Sequence, residues 1–365
     1  MSNAKRIGYI DIAKGIAFIF IVVGHVGLVF SSEAVQGGMP PLLERFAFTF
    51  HLPTFFILSG YFFHADQPLD GTLVKKGFRS LILPYIVTSL IIILGCAVAG
   101  QMRNGSGASE LVRWGQAALW GAGAQRDVSL WHVERIGGIW FLLALFWAQL
   151  VVAATHRLRE PTRLCILTCA LALAVYSNRI VWLPFSIQSG LGCAIYLYVG
   201  MLARQHGWLK RGALRIWQWL VLWAIWGTVI AFGGRASLAM GDYPLGVLDV
   251  LGGIAGCACI CAVSGVIERH LGPVSRALQL IGRNTLPLFA LHIAEDNIIS
   301  WATIGIAASQ ILSGFPATWV IVLIARFALD AALVGAVYLL PGLRSVYFPR
   351  RKTIGAHGKG GHTAS

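Results

Sequence analysis

The chain has 365 residues, of which 57% are hydrophobic and 12% are charged, and its mean hydropathy is +0.71. A soluble domain carries about 25% charged residues, so this composition excludes an ordinary soluble protein and indicates one polytopic domain in a membrane. The formal net charge of +14 does not require nucleic acid as a partner, because the placement of the lysines and arginines explains it.

Hydropathy predicts ten spans, each near the length that a hydrocarbon core of about 30 Å demands. We predict an all-α integral membrane protein, a polytopic bundle of about ten transmembrane helices in the cell inner or plasma membrane. A membrane domain covers 1–345, and a basic, disordered cytoplasmic tail covers 346–365. The predicted spans are 10–30, 45–64, 81–100, 137–155, 162–178, 186–203, 214–232, 245–267, 278–298 and 316–340.

The basic residues predict how the bundle is oriented. With a cytoplasmic N-terminus, the inside segments hold 19 of the 29 lysines and arginines, and the outside segments hold seven, all of them arginines. The positive-inside rule therefore favours both termini in the cytoplasm (N-in/C-in) and an even number of spans. The longest outside connection, 101–136, contains LVRWGQAALWGAG, which is typical of an amphipathic helix in the membrane interface.

The first span, RIGYIDIAKGIAFIFIVVGH, carries Asp11, Lys14 and His25 within an apolar run. On a helix Asp11 and Lys14 are neighbours, and Lys14 and His25 lie roughly 16 Å apart along the axis on nearly the same side. Ionisable groups within a span mark a pathway or a site by default. The alternative is an anchoring Asp11–Lys14 ion pair and a buried histidine whose hydrogen bonds are satisfied.

The second span, FAFTFHLPTFFILSGYFF, places His51 about two turns in from the outside, at the depth of His25. The two imidazoles could share a cavity. Alternatively, His51 satisfies backbone groups beside the kink at Pro53.

The third and fourth spans add polar groups at opposite edges. Lys75, Lys76 and Arg79 lie at the inner edge of the third span, and Trp140 lies near the outer edge of the fourth.

The ninth span, within IGRNTLPLFALHIAEDN, places Arg283 and Asn284 inward and His292 and Glu295 outward. His292 and Glu295 are three residues apart and share one helix face. Glu295 either orients His292 or ends the helix in water.

Taken in order, these stretches resemble the membrane-bound acyltransferase-3 family, particularly its fucose-4-O-acetylase-like branch. The matching elements are D-x-x-K/R with a histidine fourteen residues after the aspartate, FH-x-P-x-FF-x-x-SGY, LILPY, WFL-x-x-LF and the late G-x-N-(S/T)-L…H. Many relatives carry arginine where Lys14 stands and methionine where Leu52 stands. The resemblance runs from residue 6 to about 295.

The resemblance implies transfer of an acyl group, usually acetyl from acetyl-CoA as co-substrate, to a hydroxyl of a sugar in a cell-envelope glycan or glycolipid. It makes His25 essential for transfer, and a neutral imidazole is well suited as the general base. An acetyl-His25 intermediate is a second route. We predict Asp11 and His51 as further catalytic residues. The donor-binding set is Lys14, Lys75, Lys76, Arg79 and Arg283, and the acceptor-binding set is Trp140, Asn284, His292 and Glu295.

Neither a metal nor a permanently bound cofactor is expected. The seven cysteines lie in or beside apolar runs and do not form loop pairs, a pattern that indicates neither a disulfide framework nor a zinc site.

Two other functional classes fit parts of the sequence. A transporter or exporter of a glycan or small substrate would also use intramembrane histidine and aspartate, as proton relays, although no clearly repeated halves are present. A non-catalytic membrane sensor would predict that His25→Ala leaves function intact.

Overall fold

A computed structural model describes residues 7–30, 39–64, 66–128, 131–209, 213–312, 315 and 317–348. The described residues form fifteen α-helices and one two-stranded antiparallel hairpin. The helices are α1 (Gly8–Phe30), α2 (Pro41–Tyr61), α3 (Gly71–Gly77), α4 (Leu83–Asn104), α5 (Gly107–Trp120), α6 (Trp140–Ala154), α7 (Glu160–Ser177), α8 (Ile187–Gln205), α9 (Ile216–Phe232), α10 (Val247–His270), α11 (Gly272–Arg283), α12 (Thr285–Ile298), α13 (Trp301–Ile311), α14 (Thr318–Leu339) and α15 (Pro341–Tyr347). The hairpin strands are β1 (Arg126–Val128) and β2 (Trp131–Val133).

Five helical segments in the described residues are long and apolar enough to cross a membrane. They are α1, the continuous helical stretch Gly71–Asn104, the segment Pro184–Gln205, α10 and α14. The helices α6 and α9 are also apolar but shorter. The all-α fold class is therefore confirmed within the described residues, whereas ten spans and the N-in/C-in orientation remain predictions.

The long connection before α6 contains the predicted helix, since α5 covers Gly107–Trp120 and packs on α4. Of the predicted tail, 346–365, the structure describes the first three residues. Val346 and Tyr347 belong to α15, and Tyr347 is buried. Residues 349–365 of that tail lie outside the described residues.

The predicted ninth span is two helices rather than one. The chain leaves the helical conformation at Asn284, where φ is −111° and ψ is 22°, between α11 and α12. Pro287 explains the break, because a proline ring clashes with the carbonyl four residues earlier, which here belongs to Arg283. The break frees α11 to cross α1 while α12 continues along the bundle.

Helix α1 lies at the centre of the bundle and contacts α2, α10, α11 and α14. Glycines make the closest crossings possible. A Cβ on Gly282 would collide with the backbone of Asp11, and a Cβ on Gly15 would collide with the Leu278 carbonyl oxygen. Small residues permit this close approach of helix backbones, so α11 is held directly against the part of α1 that carries Asp11 and Lys14.

Candidate active site

Six ionisable side chains meet near the C-terminal end of α1, which we call the His25 end of the bundle. They come from α1, α12 and α14, three helices that contact one another. Buried charges are costly unless they are paired, and here each residue lies within 3.5 Å of a side chain that can carry the opposite charge. The six residues are His25, His292, Glu295, Asp296, Arg326 and Asp330.

His25 faces Asp296 across the gap between α1 and α12. Its Nδ1 lies 3.5 Å from Asp296 Oδ2, a separation that suits an ion pair but is long for a hydrogen bond. The ring of His25 lies 5.0 Å from the ring of His292, centre to centre. The side chains of His25 and Asp296 keep 16% and 18% of their surface exposed, unlike the fully buried Arg326 behind them.

Both residues line a cavity of about 480 Å³, which we call the His25 cavity. Its walls come from α1, the end of α4, α5, the chain around the hairpin, and the α12–α13 junction. Besides His25 and Asp296, the lining residues are Leu28, Val29, Arg103, Arg113, Trp114, Ala117, Gln125, Glu134, Arg135, Asn297, Ile298, Ile299, Ser300, Trp301 and Ala302.

Arg326 fixes the carboxylates that stand behind the cavity. Its Nη2 donates to Glu295 Oε1 at 2.6 Å and to Asp296 Oδ1 at 2.5 Å, and its Nε donates to Glu295 Oε1 at 3.0 Å. The Arg326 guanidinium also lies 4.9 Å from the centre of the Trp301 ring, whose Nε1 donates to Glu295. These bonds hold one oxygen of Asp296 on Arg326 and turn the other toward His25.

His292 is fully buried, with its Nδ1 3.1 Å from Asp330 Oδ2 and 3.0 Å from Glu295 Oε1. Of the two sequence alternatives for Glu295, the structure favours a contact with His292, because Glu295 is only 3% exposed and does not end the helix in water. The metal-ligating atoms of His292, Glu295 and Asp330 lie within 4.8 Å of one another. The Arg326 guanidinium already neutralises Glu295, so a second cation there would meet repulsion.

His51 is buried in α2, and its Nδ1 donates to the Ala47 carbonyl at 2.5 Å. Its ring packs against Phe48. It is not among the described residues that line the His25 cavity. The structure thus favours the backbone-satisfying alternative for His51 over a cavity shared with His25.

Trp140 and Asn284 also lie away from the described lining of the His25 cavity. Trp140 is 3% exposed and packs beneath Gly123, where a Cβ would collide with the indole. Asn284 donates to the Leu280 carbonyl at the α11–α12 junction, eight residues and roughly 12 Å along the axis from His292. Of the four residues predicted to bind the acceptor, His292 and Glu295 are therefore the two that lie close to His25.

At the opposite end of α1, the Lys14 end, Asp11 pairs with Arg283 and not with Lys14, which was the alternative for this pair of residues. Asp11 Oδ2 accepts from Arg283 Nε at 3.2 Å, because the crossing at Gly282 brings α11 against the backbone of Asp11. The Lys14 ammonium lies 5.2 Å from the centre of the Phe62 ring, a cation–π contact. The three further cations predicted to bind the donor, Lys75, Lys76 and Arg79, are exposed on α3 and the turn that follows it.

Lys14 lines a second, narrower cavity of about 200 Å³, the Lys14 cavity. Its lining combines one lysine and three hydroxyl residues with eight apolar residues. A π-helical turn, Phe78–Ile82, joins α3 to α4 and contributes two of the lining residues, as such turns often do at functional sites. The lining comprises Lys14, Ser59, Ser80 and Thr285, then Ile21, Leu52, Phe55, Leu81, Phe141, Leu145, Leu286 and Phe289.

The two cavities lie in line along α1. Ile21 lines the Lys14 cavity and His25 lines the His25 cavity, and the four-residue step from one to the other corresponds to a rise of about 6 Å. On α12, Phe289 lines the Lys14 cavity, and His292 lies one turn further on. A long, thin molecule that enters beside Lys14 would have its tip directed at His25.

A histidine outside the spans contacts Gln125 and Glu134, two residues of the cavity lining. His132, on β2, has its Nδ1 2.6 Å from Asp127 Oδ1 and its Nε2 3.6 Å from Glu134 Oε1. The hydrogen bond with Asp127 raises the pKa of His132 above its ordinary value.

The sequence analysis missed four residues of the buried network: Asp296, Trp301, Arg326 and Asp330. One signal was present, because Arg326 and Asp330 are charged residues one turn apart within the apolar run of α14. That is the same signal that drew attention to Asp11 and Lys14. In the sequence, Arg326 entered only the count of basic residues and was not predicted to belong to a site.

Comparison with known proteins gives one match. A family model described as an acyltransferase domain matches residues 7–334, a range that contains both cavities and the buried network. Neither the curated proteins nor the solved structures include a match to this chain.

Proposed function

Since the chain belongs to the acyltransferase-3 family and is a membrane acyltransferase, we propose that it is an O-acetyltransferase of the cell inner or plasma membrane. It would move an acetyl group from acetyl-CoA to a hydroxyl of a cell-envelope sugar, glycan or glycolipid, as the fucose-4-O-acetylase-like branch does. In the proposed topology, ten spans place both termini in the cytoplasm, the Lys14 end inside and the His25 end outside.

The observation that carries the proposal is the His25–Asp296 pair at the floor of the His25 cavity, with a nitrogen-to-oxygen distance of 3.5 Å. A general base must be accessible to the proton that it removes, and a carboxylate behind it stabilises the imidazolium that forms. His25 is partly exposed to the cavity, and Arg326 holds Asp296 in place. We therefore assign the orienting role to Asp296, and we place Asp11 at the donor end as the partner of Arg283.

The reaction follows from this placement. His25 removes the proton from the acceptor hydroxyl as the oxygen attacks the carbonyl carbon of the acetyl thioester. The carbon–sulfur bond then breaks, and the CoA sulfur leaves and takes the proton from His25. Transfer is direct in this scheme, with no acetyl-histidine intermediate.

The Lys14 cavity supports a donor that enters from the opposite end to the acceptor. Its lining combines a lysine and three hydroxyl groups with apolar side chains that continue along α1 to Ile21, and this combination suits a phosphorylated carrier with a long arm. Phosphates are bound best by charged donors, and the exposed cations Lys75, Lys76 and Arg79 lie on the segment beside this entrance. The acetyl group would then arrive within about one helical turn of His25.

The test uses purified protein in lipid, acetyl-CoA with an isotopic label in the acetyl group, and glycans extracted from the cell envelope. The label should pass to the glycan, and glycans from cells that lack the gene should each lose the mass of an acetyl group at one site. Movement of an unmodified glycan across the membrane without transfer of label would instead favour an exporter.

A further inference from the structure

We propose that the acceptor carries an anionic group, a phosphate or a carboxylate, which Arg103, Arg113 and Arg135 bind at the wall of the His25 cavity. This inference rests on the proposed function and narrows its substrate class. The hydroxyl to be acetylated faces His25 while the anionic group of the same molecule is held by the arginines.

The three arginines converge on one cavity from separate elements. Arg103 lies in the last turn of α4, Arg113 lies in α5, and Arg135 follows β2. The cavity volume of about 480 Å³ falls within the range of roughly 300–1,000 Å³ that is usual for small-molecule sites. An acceptor that fills it can therefore touch both the arginines and His25.

The charges of these arginines are poorly neutralised by the protein. Arg103 Nε donates to the uncharged Ala99 carbonyl at 3.2 Å. The Arg135 side chain makes no ion pair or hydrogen bond with any described residue. Arg113 Nη2 lies 2.7 Å from Glu110 Oε2. Among the described residues, Arg113 is the one arginine of the three with an acidic partner.

The carboxylates of the cavity lining do not cancel this charge. Asp296 is already held by Arg326 at 2.5 Å. Glu134 lies 3.6 Å from His132 Nε2. The lining therefore presents free guanidinium donors to whatever occupies the cavity.

Two other arginines at the same end of the bundle are paired with carboxylates. Arg126 makes two hydrogen bonds to the carboxylate of Asp242, at 2.9 and 2.8 Å. Arg235 pairs with Glu44. Arg45 instead donates to an uncharged backbone carbonyl. What distinguishes the three arginines of the cavity is therefore that they converge on one cavity.

The residue type also points to an anion. In the proposed topology this end faces outside, where basic residues are disfavoured, and three of the seven outside arginines line this one cavity. Arginine presents a planar set of donors that grips phosphate or carboxylate with two bonds, whereas lysine acts as a point charge.

The donor's phosphates cannot be the anion that these arginines serve. His25, which shares their cavity, lies roughly 16 Å along α1 from Lys14, and the donor cations lie at the Lys14 end. A donor whose thioester reaches His25 from that end leaves its phosphates behind at the entrance. The anion at the His25 cavity therefore belongs to the acceptor.

The test compares three probes on the full-length protein in detergent: glucose 1-phosphate, glucuronate and glucose. Binding is measured by titration and by the ligand-induced shift in Tm. At least one anionic sugar should bind at concentrations at which glucose does not, and the stronger of the two identifies the group as phosphate or carboxylate. Binding should weaken as salt is raised.

Variants then locate the site. The combined change Arg103→Gln, Arg113→Gln and Arg135→Gln should weaken anionic-sugar binding at least about tenfold, since it removes every charge-assisted hydrogen bond that these guanidinium groups would make. Arg179→Gln, an exposed arginine outside the cavity lining, is the matched control and should change nothing. If the combined variant folds poorly, anionic-sugar binding is measured on Arg135→Gln alone, because the Arg135 side chain has no described partner to lose.

Equal binding of glucose and the anionic sugars, or unchanged binding in the arginine variants, would overturn the inference. The labelled acetyl-CoA experiment separates this failure from failure of the proposed function. Transfer of label to a neutral glycan by the arginine variants would leave the acyltransferase proposal standing and remove the anionic acceptor. Arginine-dependent binding of an anionic sugar without any acetyl transfer would leave the anion site standing and contradict the acyltransferase proposal.

Discussion

His25 differs from His51 and His292 in its access to solvent. His51 is 4% exposed and bonded to the Ala47 carbonyl, and His292 is fully buried between Asp330 and Glu295. His25 is the one of the three that lines the His25 cavity. At this scale the chemistry rests on the pairing of one accessible imidazole with the carboxylate of Asp296.

The Asp296 assignment predicts the effect of Asp296→Asn. The substitution preserves the size of the side chain and an oxygen for Arg326, but it removes the negative charge that faces His25. Turnover should fall roughly tenfold or more, because the base loses the carboxylate that orients it while a full general base contributes 10²–10⁴-fold. The affinity for CoA should not change. Turnover and CoA binding by the purified variant provide the measurement.

Asp66→Asn, which removes an exposed carboxylate in the loop after α2, is the control for the loss of an acidic residue. Wild-type turnover by Asp296→Asn at an equal amount of folded protein would show that Asp296 does not orient the base.

Lys14 is predicted to bind the donor's phosphates. Lys14→Ala should weaken CoA binding by about tenfold, the equivalent of about 1.4 kcal/mol and close to the worth of one charge-assisted hydrogen bond. The protein should still fold, because Asp11 is paired with Arg283 and does not lose its partner. Lys14→Arg should keep most of the affinity. An unchanged dissociation constant for CoA in the alanine variant would mean that Lys14 serves only to pack against Phe62.

The sequence indicated part of this site and missed part of it. The spacing of Lys14 and His25 predicted that they lie on nearly the same side of one helix, and in the structure each lines its own cavity. The partner of Asp11 could not be found in that way, because the Asp11–Arg283 pair depends on the crossing of α1 and α11. Asp296 was also missed, since its relation to His25 depends on Arg326, which comes from a helix distant in sequence.

At the scale of elements, close helix crossings set the geometry of the cavities. Helices α2 and α8 touch through Gly60 and Gly200. A Cβ on Gly60 would collide with the Leu197 carbonyl, and a Cβ on Gly200 would collide with the Ile57 carbonyl. The glycine of the SGY sequence thus has a packing role, next to Ser59 in the Lys14 cavity.

Gly60→Ala should therefore lower the stability of the protein, by about 1–3 kcal/mol if the helices separate slightly to admit the methyl group. The yield of monodisperse protein in detergent and its Tm report the effect. Gly227→Ala in α9 is the matched control, since a Cβ there meets nothing within 4 Å, and alanine favours a helix over glycine by about 1 kcal/mol. Equal yield and Tm for the two variants would contradict the packing role.

The sequence predicted the existence of these helices better than their continuity. The apolar runs located α1, α2, α8, α10 and α14 to within a few residues. The predicted span 278–298 conceals the break at Asn284, although Pro287 was the available signal. Backbone details such as the π-helical turn at Phe78–Ile82 depend on tertiary packing and leave no pattern in hydropathy.

At the scale of the whole molecule, the proposed reaction requires the two cavities to open on opposite sides of the membrane. They open toward opposite ends of α1, so a donor and an acceptor can approach His25 from different sides without sharing an entrance. Composition alone predicted an all-α membrane bundle. It could not predict the two cavities, because they are formed by residues brought together from many helices.

The predicted topology is tested by reporter fusions after Lys359 and within 101–135. An even number of spans with both termini cytoplasmic requires the reporter after Lys359 to be inside and the reporter in the connection to be outside. The connection carries α5 and the residues that flank the hairpin, which line the His25 cavity. If both reporters were on one side, the even-span topology and a two-sided approach to His25 would be wrong.

The most direct test of the general-base assignment is the turnover of purified His25→Ala and His25→Gln with acetyl-CoA and the envelope glycan. Both variants should accumulate normally in the membrane and bind CoA as the wild type does, but acetyl transfer should fall by about 10²-fold or more. His51→Ala, which removes a buried histidine outside the described lining of the cavity, should lose less. Retention of more than about a tenth of wild-type turnover by His25→Ala, a margin set below the range for a lost general base, would show that His25 is not the base.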